Sequence, residues 1–122
     1  MSRALKVSGF VGLTLQMVWG IANVINLMQG SIIPSEIMGP AHAHFGVLSL
    51  TIVVAGFAVE QVDIGGGRRS LTVWGLILGQ WGLPATILGE LVTEAVLLLA
   101  FLWGILLILG MGSIALAIID QA

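Results

Sequence analysis

Charged side chains divide the chain into four long apolar stretches. Asp, Glu, Lys and Arg occur only at Arg3, Lys6, Glu36, Glu60, Asp63, Arg68, Arg69, Glu90, Glu94 and Asp120, leaving charge-free runs at 7–35, 37–59, 70–89 and 95–119. At a rise of about 1.5 Å per residue, about 20 residues cross the roughly 30 Å hydrocarbon layer of a bilayer, so each run is long enough to span once as a helix. Membrane β-barrel strands would instead alternate over segments of about 10 residues, a pattern the chain lacks. The pattern predicts an all-α, integral membrane four-helix bundle in a single domain, 1–122, with helices at about 7–28, 41–59, 70–89 and 95–119.

Glycine and proline punctuate the pattern. Gln29-Gly30 and a connector containing Pro34, Glu36, Gly39 and Pro40 read as the first turn, and Glu60–Arg69, with three consecutive glycines, as a flexible charged loop. In the third helix Gly75-x-x-x-Gly79, followed by Gly82, gives a small-residue stripe that lets a neighbouring backbone approach, and Pro84 predicts a kink. The fourth helix has only Ser113 as a polar side chain and is expected to face lipid.

Composition sharpens the class. The chain is 58% hydrophobic and 8% charged, against about 25% charged for a soluble domain, so a soluble core cannot absorb its apolar surface. All four basic residues lie in the N-terminal tail or the 60–69 loop. The positive-inside rule therefore predicts that both termini and that loop are cytoplasmic, with the plasma membrane as the location. The basic N-terminus resembles a signal peptide, but its apolar stretch is too long and lacks an A-x-A-like exit, so it is read as the first helix. The absence of cysteine removes disulfides and thiolate metal sites. A net charge of −2, scattered along the chain, gives no footprint for nucleic acid.

The chemistry rests on the only two histidines, His42 and His44, in Gly39-Pro-Ala-His-Ala-His-Phe-Gly-Val-Leu-Ser49. Ionisable side chains at membrane depth are functional candidates, and two imidazoles are costly to bury without partners. Residues two apart on a helix lie about 200° apart around its axis, so the rings point to nearly opposite faces and cannot share one metal. A zinc site wants three or four protein ligands, which one helix with two histidines does not supply. Haem iron needs only one or two axial ligands, and the macrocycle suits an apolar setting between helices. In a ring of identical chains, His42 of one copy and His44 of the next face a shared interface from its two sides. Met38 is near enough to be weighed as a sixth ligand, but a flexible methionine there reads more simply as filler.

The segment Ala41-His-Ala-His-Phe-Gly-Val-Leu-Ser-Leu50 resembles the His-x-His helix of subunit I of the haem–copper oxidases. That resemblance implies two histidines ligating different haems on opposite faces of one helix, the second in a four-helix unit. A second resemblance, over most of the chain from Gly12 through the Ala-His pair at 43–44 and Gly46 to the Trp81 region, is to styrene oxide isomerase. It implies a homotrimer with haem b at the subunit interfaces and His44 as a ligand. The polar active-site positions of that family fall here on Leu50, Gly79 and Ile87, without the asparagine, aspartate and tyrosine that epoxide handling requires. No tyrosine and no further histidine are available for oxygen reduction of the oxidase type.

These readings converge on a cytochrome-like, haem b-binding trimer, more electron carrier than enzyme, with a redox partner and with His42 and His44 as iron ligands. Trp81 and Gln80 are the companion candidates for cofactor contact. The alternatives are a haem-dependent isomerase, with one histidine on iron, and a haem-free small subunit of a larger membrane complex. Gln16, Asn23, Asn26, Thr51, Gln80 and Thr86 are read as polar groups that more often hold helices together than bind ligands.

Overall fold

The computed structural model describes residues 1–122 and is all-helical. Helix α1 spans Ser2–Met28, α2 Ser35–Gln61, α3 Gly66–Gly89 and α4 Leu99–Gln121, with a 3-10 turn at Glu94–Leu98 leading into α4. All four helices are long and apolar enough to cross a membrane.

Three helices begin earlier than the apolar pattern predicts: α1 at Ser2, α2 at Ser35 and α3 at Gly66. A charge-free window measures the length that hydrocarbon tolerates. Helical hydrogen bonding continues beyond it, because charged side chains at a helix end can extend to the interface. Pro40, expected in the turn, accordingly lies inside α2, and Pro84 lies inside α3 as expected. α1 does stop at the predicted Gly30, which adopts a φ of 84° that suits glycine. There the amide of Ser31 donates to Asn26 O at 2.8 Å and that of Gly30 to Leu27 O at 3.1 Å, closing the helix in a Schellman turn.

The helices pack mainly in chain order, α1 on α2, α2 on α3 and α3 on α4, and α1 makes no contact with α4. The arrangement is therefore an open layer with α2 and α3 central, rather than a closed ring of four. The outer helices are correspondingly bare: α4 buries only Gly110, Ile114 and Ala117, and α1 only Leu5, Gly9 and Gly12.

Small residues set the close approaches. A Cβ on Gly9 would lie 2.8 Å from the backbone oxygen of Ser49, so α1 and α2 touch nearly backbone to backbone there. The glycine stripe of α3 turns toward α4, where Leu107 fills the gap at Gly79 and Trp103 the gap at Gly82. Trp103 then donates from Nε1 to Thr86 Oγ1 at 2.7 Å, a pairing a membrane interior favours.

Leu5, Ile52, Ala55, Val59, Val62, Ile64, Val73, Leu76, Ile114 and Ala117 form the apolar core. All belong to the end of the layer that carries the chain termini and the α2–α3 connection. Above this core Gln80, fully buried, joins three helices: it accepts from Ser8 Oγ at 2.7 Å and donates to Ser8 O at 3.1 Å and Ser49 Oγ at 3.0 Å. The opposite end, where the histidines lie, is more open.

Candidate functional site

His42 and His44 stand on the second and third turns of α2, and their surroundings differ sharply. His42 is half-buried against α1 and His44 is exposed on the outer face of the layer. The divergence follows from the 100° advance per residue of an α-helix.

His42 is held by Gln16. Its Nε2 lies 3.1 Å from the Gln16 backbone oxygen and 3.0 Å from the end of the Gln16 carboxamide. A protonated Nε2 donates to that oxygen, and a bare Nε2 accepts from the amide. In either tautomer the atom is engaged inside the chain. Two glycines make the slot: a Cβ on Gly20 would come within 3.4 Å of His42 Nε2, and one on Gly46 within 3.0 Å of Gln16 Nε2. The Trp19 ring packs edge-on against the imidazole at 5.9 Å between centroids.

His44 is held differently. Its Nδ1 lies 2.8 Å from the backbone oxygen of Pro40, one turn earlier. A carbonyl only accepts, so Nδ1 carries the proton and Nε2 keeps its lone pair, exposed and without a protein partner. Below the ring, Val47, Leu50, Val54 and Phe57 continue the same exposed stripe at spacings of three and four. Besides the imidazole this face offers the Thr51 hydroxyl, which is spent on Val47 O at 2.9 Å.

The two companion candidates are placed elsewhere. Gln80 is committed to Ser8 and Ser49 and touches neither histidine. Trp81 donates from Nε1 to Ser8 Oγ at 2.9 Å, and its ring meets Phe45 at 5.1 Å. Phe45 meets Trp19 at 6.1 Å, so a run of aromatic rings links Trp81 to His42 on the side away from His44. With Pro84, Ala85 and Leu88 these rings line an apolar groove of about 190 Å³.

No three His, Asp or Glu side chains converge anywhere in the chain in a way that could hold a metal ion. The partners that distinguish the histidines, Gln16 and the Pro40 carbonyl, are ones sequence reasoning did not assign. Gln16 was visible as an amide in an apolar span. The Pro40 carbonyl could have been found from the i, i+4 spacing of Pro40 and His44.

No curated protein and no solved structure matches this chain. A family model, the domain of unknown function DUF8059, matches residues 1–122. Since that match runs the whole length of the four-helix unit and includes both histidines, the chain belongs to the DUF8059 family.

Proposed function

We propose that this chain is a haem b-binding protein of the plasma membrane that carries electrons, with His44 as the iron ligand at an interface between copies. The observation that carries the reading is the pairing of the His44 Nδ1 proton with Pro40 O, which leaves Nε2 bare on an exposed apolar face. Metal-bound histidines commonly donate their second ring N–H to a carbonyl, which fixes the tautomer and orients the ring. The donor set fits haem in kind: one imidazole nitrogen and an apolar surface for the macrocycle. Bound haem would supply a one-electron iron couple.

The rest of the chain's part is binding and orientation. Pro40 O aims the ring, and the stripe from Val47 to Phe57 excludes water beside it. The end of the layer that carries the histidines has Glu36, Glu90 and Glu94 and no Lys or Arg, so propionate groups there would rely on uncharged donors.

A cyclic trimer with cytoplasmic termini is the assembly this reading favours, in which the neighbouring copy would supply a second residue to hold the haem. His42 can serve there through Nδ1, or through Nε2 after its bonds to Gln16 break. The hold of Gln16 on His42 also supports a second reading, a five-coordinate haem with an open position that acts as a Lewis acid on a small apolar substrate.

The absorption spectrum and pyridine haemochrome assay of protein purified with ample haem test both readings. A six-coordinate low-spin spectrum is expected, lost in His44→Ala together with most of the haem, while a high-spin spectrum unaffected by His42→Ala supports the second reading. A colourless protein, or haem unaltered in both single variants, contradicts the ligand assignment.

A further inference from the structure

The four basic residues lie at the end of the layer that carries the termini, and three of them have no carboxylate partner. Lys6 is taken by Glu60, which the Ser2 hydroxyl also reaches. Arg69 turns toward α2 and donates to Val59 O at 3.4 Å, in the last turn of that helix, where a cation is favoured. Arg68 turns the other way, to α4, and donates to Ser113 O at 3.2 Å. That carbonyl lies about two turns before α4 ends at Gln121, so it already has a helical donor, and it takes only one of the five N–H groups of the guanidinium. Arg68 is exposed, so the others face what surrounds the chain.

The position of Arg68 defines those surroundings. It stands at the border of the charge-free run 70–89, the depth at which hydrocarbon gives way to headgroups. Leu71 on α3 and Leu109 and Leu116 on α4, at spacings of three and four from Arg68 and Ser113, are exposed and offer only carbon. A Cβ on Gly112 would meet nothing within 4 Å, which leaves α4 open beside Ser113. The Ser113 hydroxyl is a second donor: Thr14, Thr51 and Thr72 spend theirs on the carbonyl one turn back, and Ser113 does not. Asp120, the only acid of α4, lies about two turns further on and makes no ion pair with Arg68. A cation at headgroup depth, with donors to spare, no counter-ion and apolar flanks, complements an anion that carries hydrocarbon chains.

We propose that the seam between α3 and α4 at Arg68 and Ser113 binds the phosphate of an anionic phospholipid, whose acyl chains lie along the exposed leucines. The test places the whole chain in phosphatidylcholine vesicles with a small fraction of phosphatidylglycerol brominated on its acyl chains, read by quenching of tryptophan fluorescence. Trp74, exposed on α3 less than two turns from Arg68, is the reporter. Quenching beyond that given by the same fraction of brominated phosphatidylcholine measures enrichment of the anionic lipid. Wild type shows such an excess, and Trp74→Phe removes most of it.

Arg68→Gln lowers the apparent affinity for phosphatidylglycerol about fivefold, the worth of one basic residue at an anionic surface. Ser113→Ala lowers it about twofold and serves if the first variant does not assemble. Arg3→Gln removes the same charge from α1, which makes no contact with α4, and changes it little. No excess in wild type, an excess that survives Trp74→Phe, or an equal loss from Arg3→Gln would overturn the proposal, the last by assigning the attraction to net charge alone. Inorganic phosphate added at constant ionic strength leaves the excess unchanged; displacement by it would make a free anion the ligand and overturn the lipid assignment. The outcome does not depend on haem, since His44 lies at the opposite end of the layer.

Discussion

The behaviour of single side chains at the histidine end is set by which nitrogen a backbone carbonyl occupies. Two imidazoles of identical chemistry differ in surroundings because Gln16 engages Nε2 of one and Pro40 engages Nδ1 of the other. His42→Ala should therefore disturb α1–α2 packing more than cofactor content, and His44→Ala the reverse; thermal unfolding and haem stoichiometry of the two purified variants read these separately. Gln80→Leu leaves Ser8 and Ser49 without their partner in the interior and should lower stability by about 1–2 kcal/mol, measured by unfolding in mixed micelles. The sequence made the histidines legible as a diverging pair, since their spacing alone fixes the angle between them. It did not make their partners legible, because a backbone carbonyl carries no residue signature and the Gln16 contact depends on how α1 crosses α2. Gln80 and Trp81 both bond Ser8, and Trp81 also reaches toward His42 through the Phe45 and Trp19 rings, contacts that the spacing of residues along the chain does not reveal.

Among the helices, glycine decides where two backbones can approach. Gly9 and Gly12 bring α1 onto Ser49 and Val53 of α2, and the stripe on α3 admits Leu107 and Trp103 of α4. Gly9→Val would drive its side chain into the α2 backbone, and overpacking of this kind costs about 1–3 kcal/mol; the same change at Gly112, around which a Cβ meets nothing within 4 Å, should be nearly silent. A comparison of the two variants by unfolding in micelles checks the pair. Four helices were legible because charges are so few that the apolar windows stand out. Their starts were not, since α2 runs through Gly39 and Pro40 from Ser35 and α3 begins among the glycines of the expected loop. Pro40, the sixth residue of α2, lies past the amides that lack an intrahelical acceptor, and it removes the one bond that an amide there would make to Glu36 O.

For the whole molecule, the open layer leaves the outer faces of α1 and α4 and the His44 face of α2 exposed and apolar. The positive-inside rule predicts cytoplasmic termini, so single cysteines at Ser2 and Gly66 should label with an impermeant thiol reagent only in inverted vesicles, and one at Ser31 only in intact cells; the opposite pattern would reverse the topology. A disulfide or cross-link from cysteine at Val47, on the stripe beneath His44, should join copies if that face is the shared interface. The proposal that the bare Nε2 of His44 binds haem iron is tested by purifying His44→Gly with haem in the presence and absence of added imidazole. Little haem is expected without imidazole, and recovery of the Soret band with it, because the free base can take the place of the missing side chain. Full haem content in His44→Gly without imidazole, or wild-type protein that binds none, would contradict it.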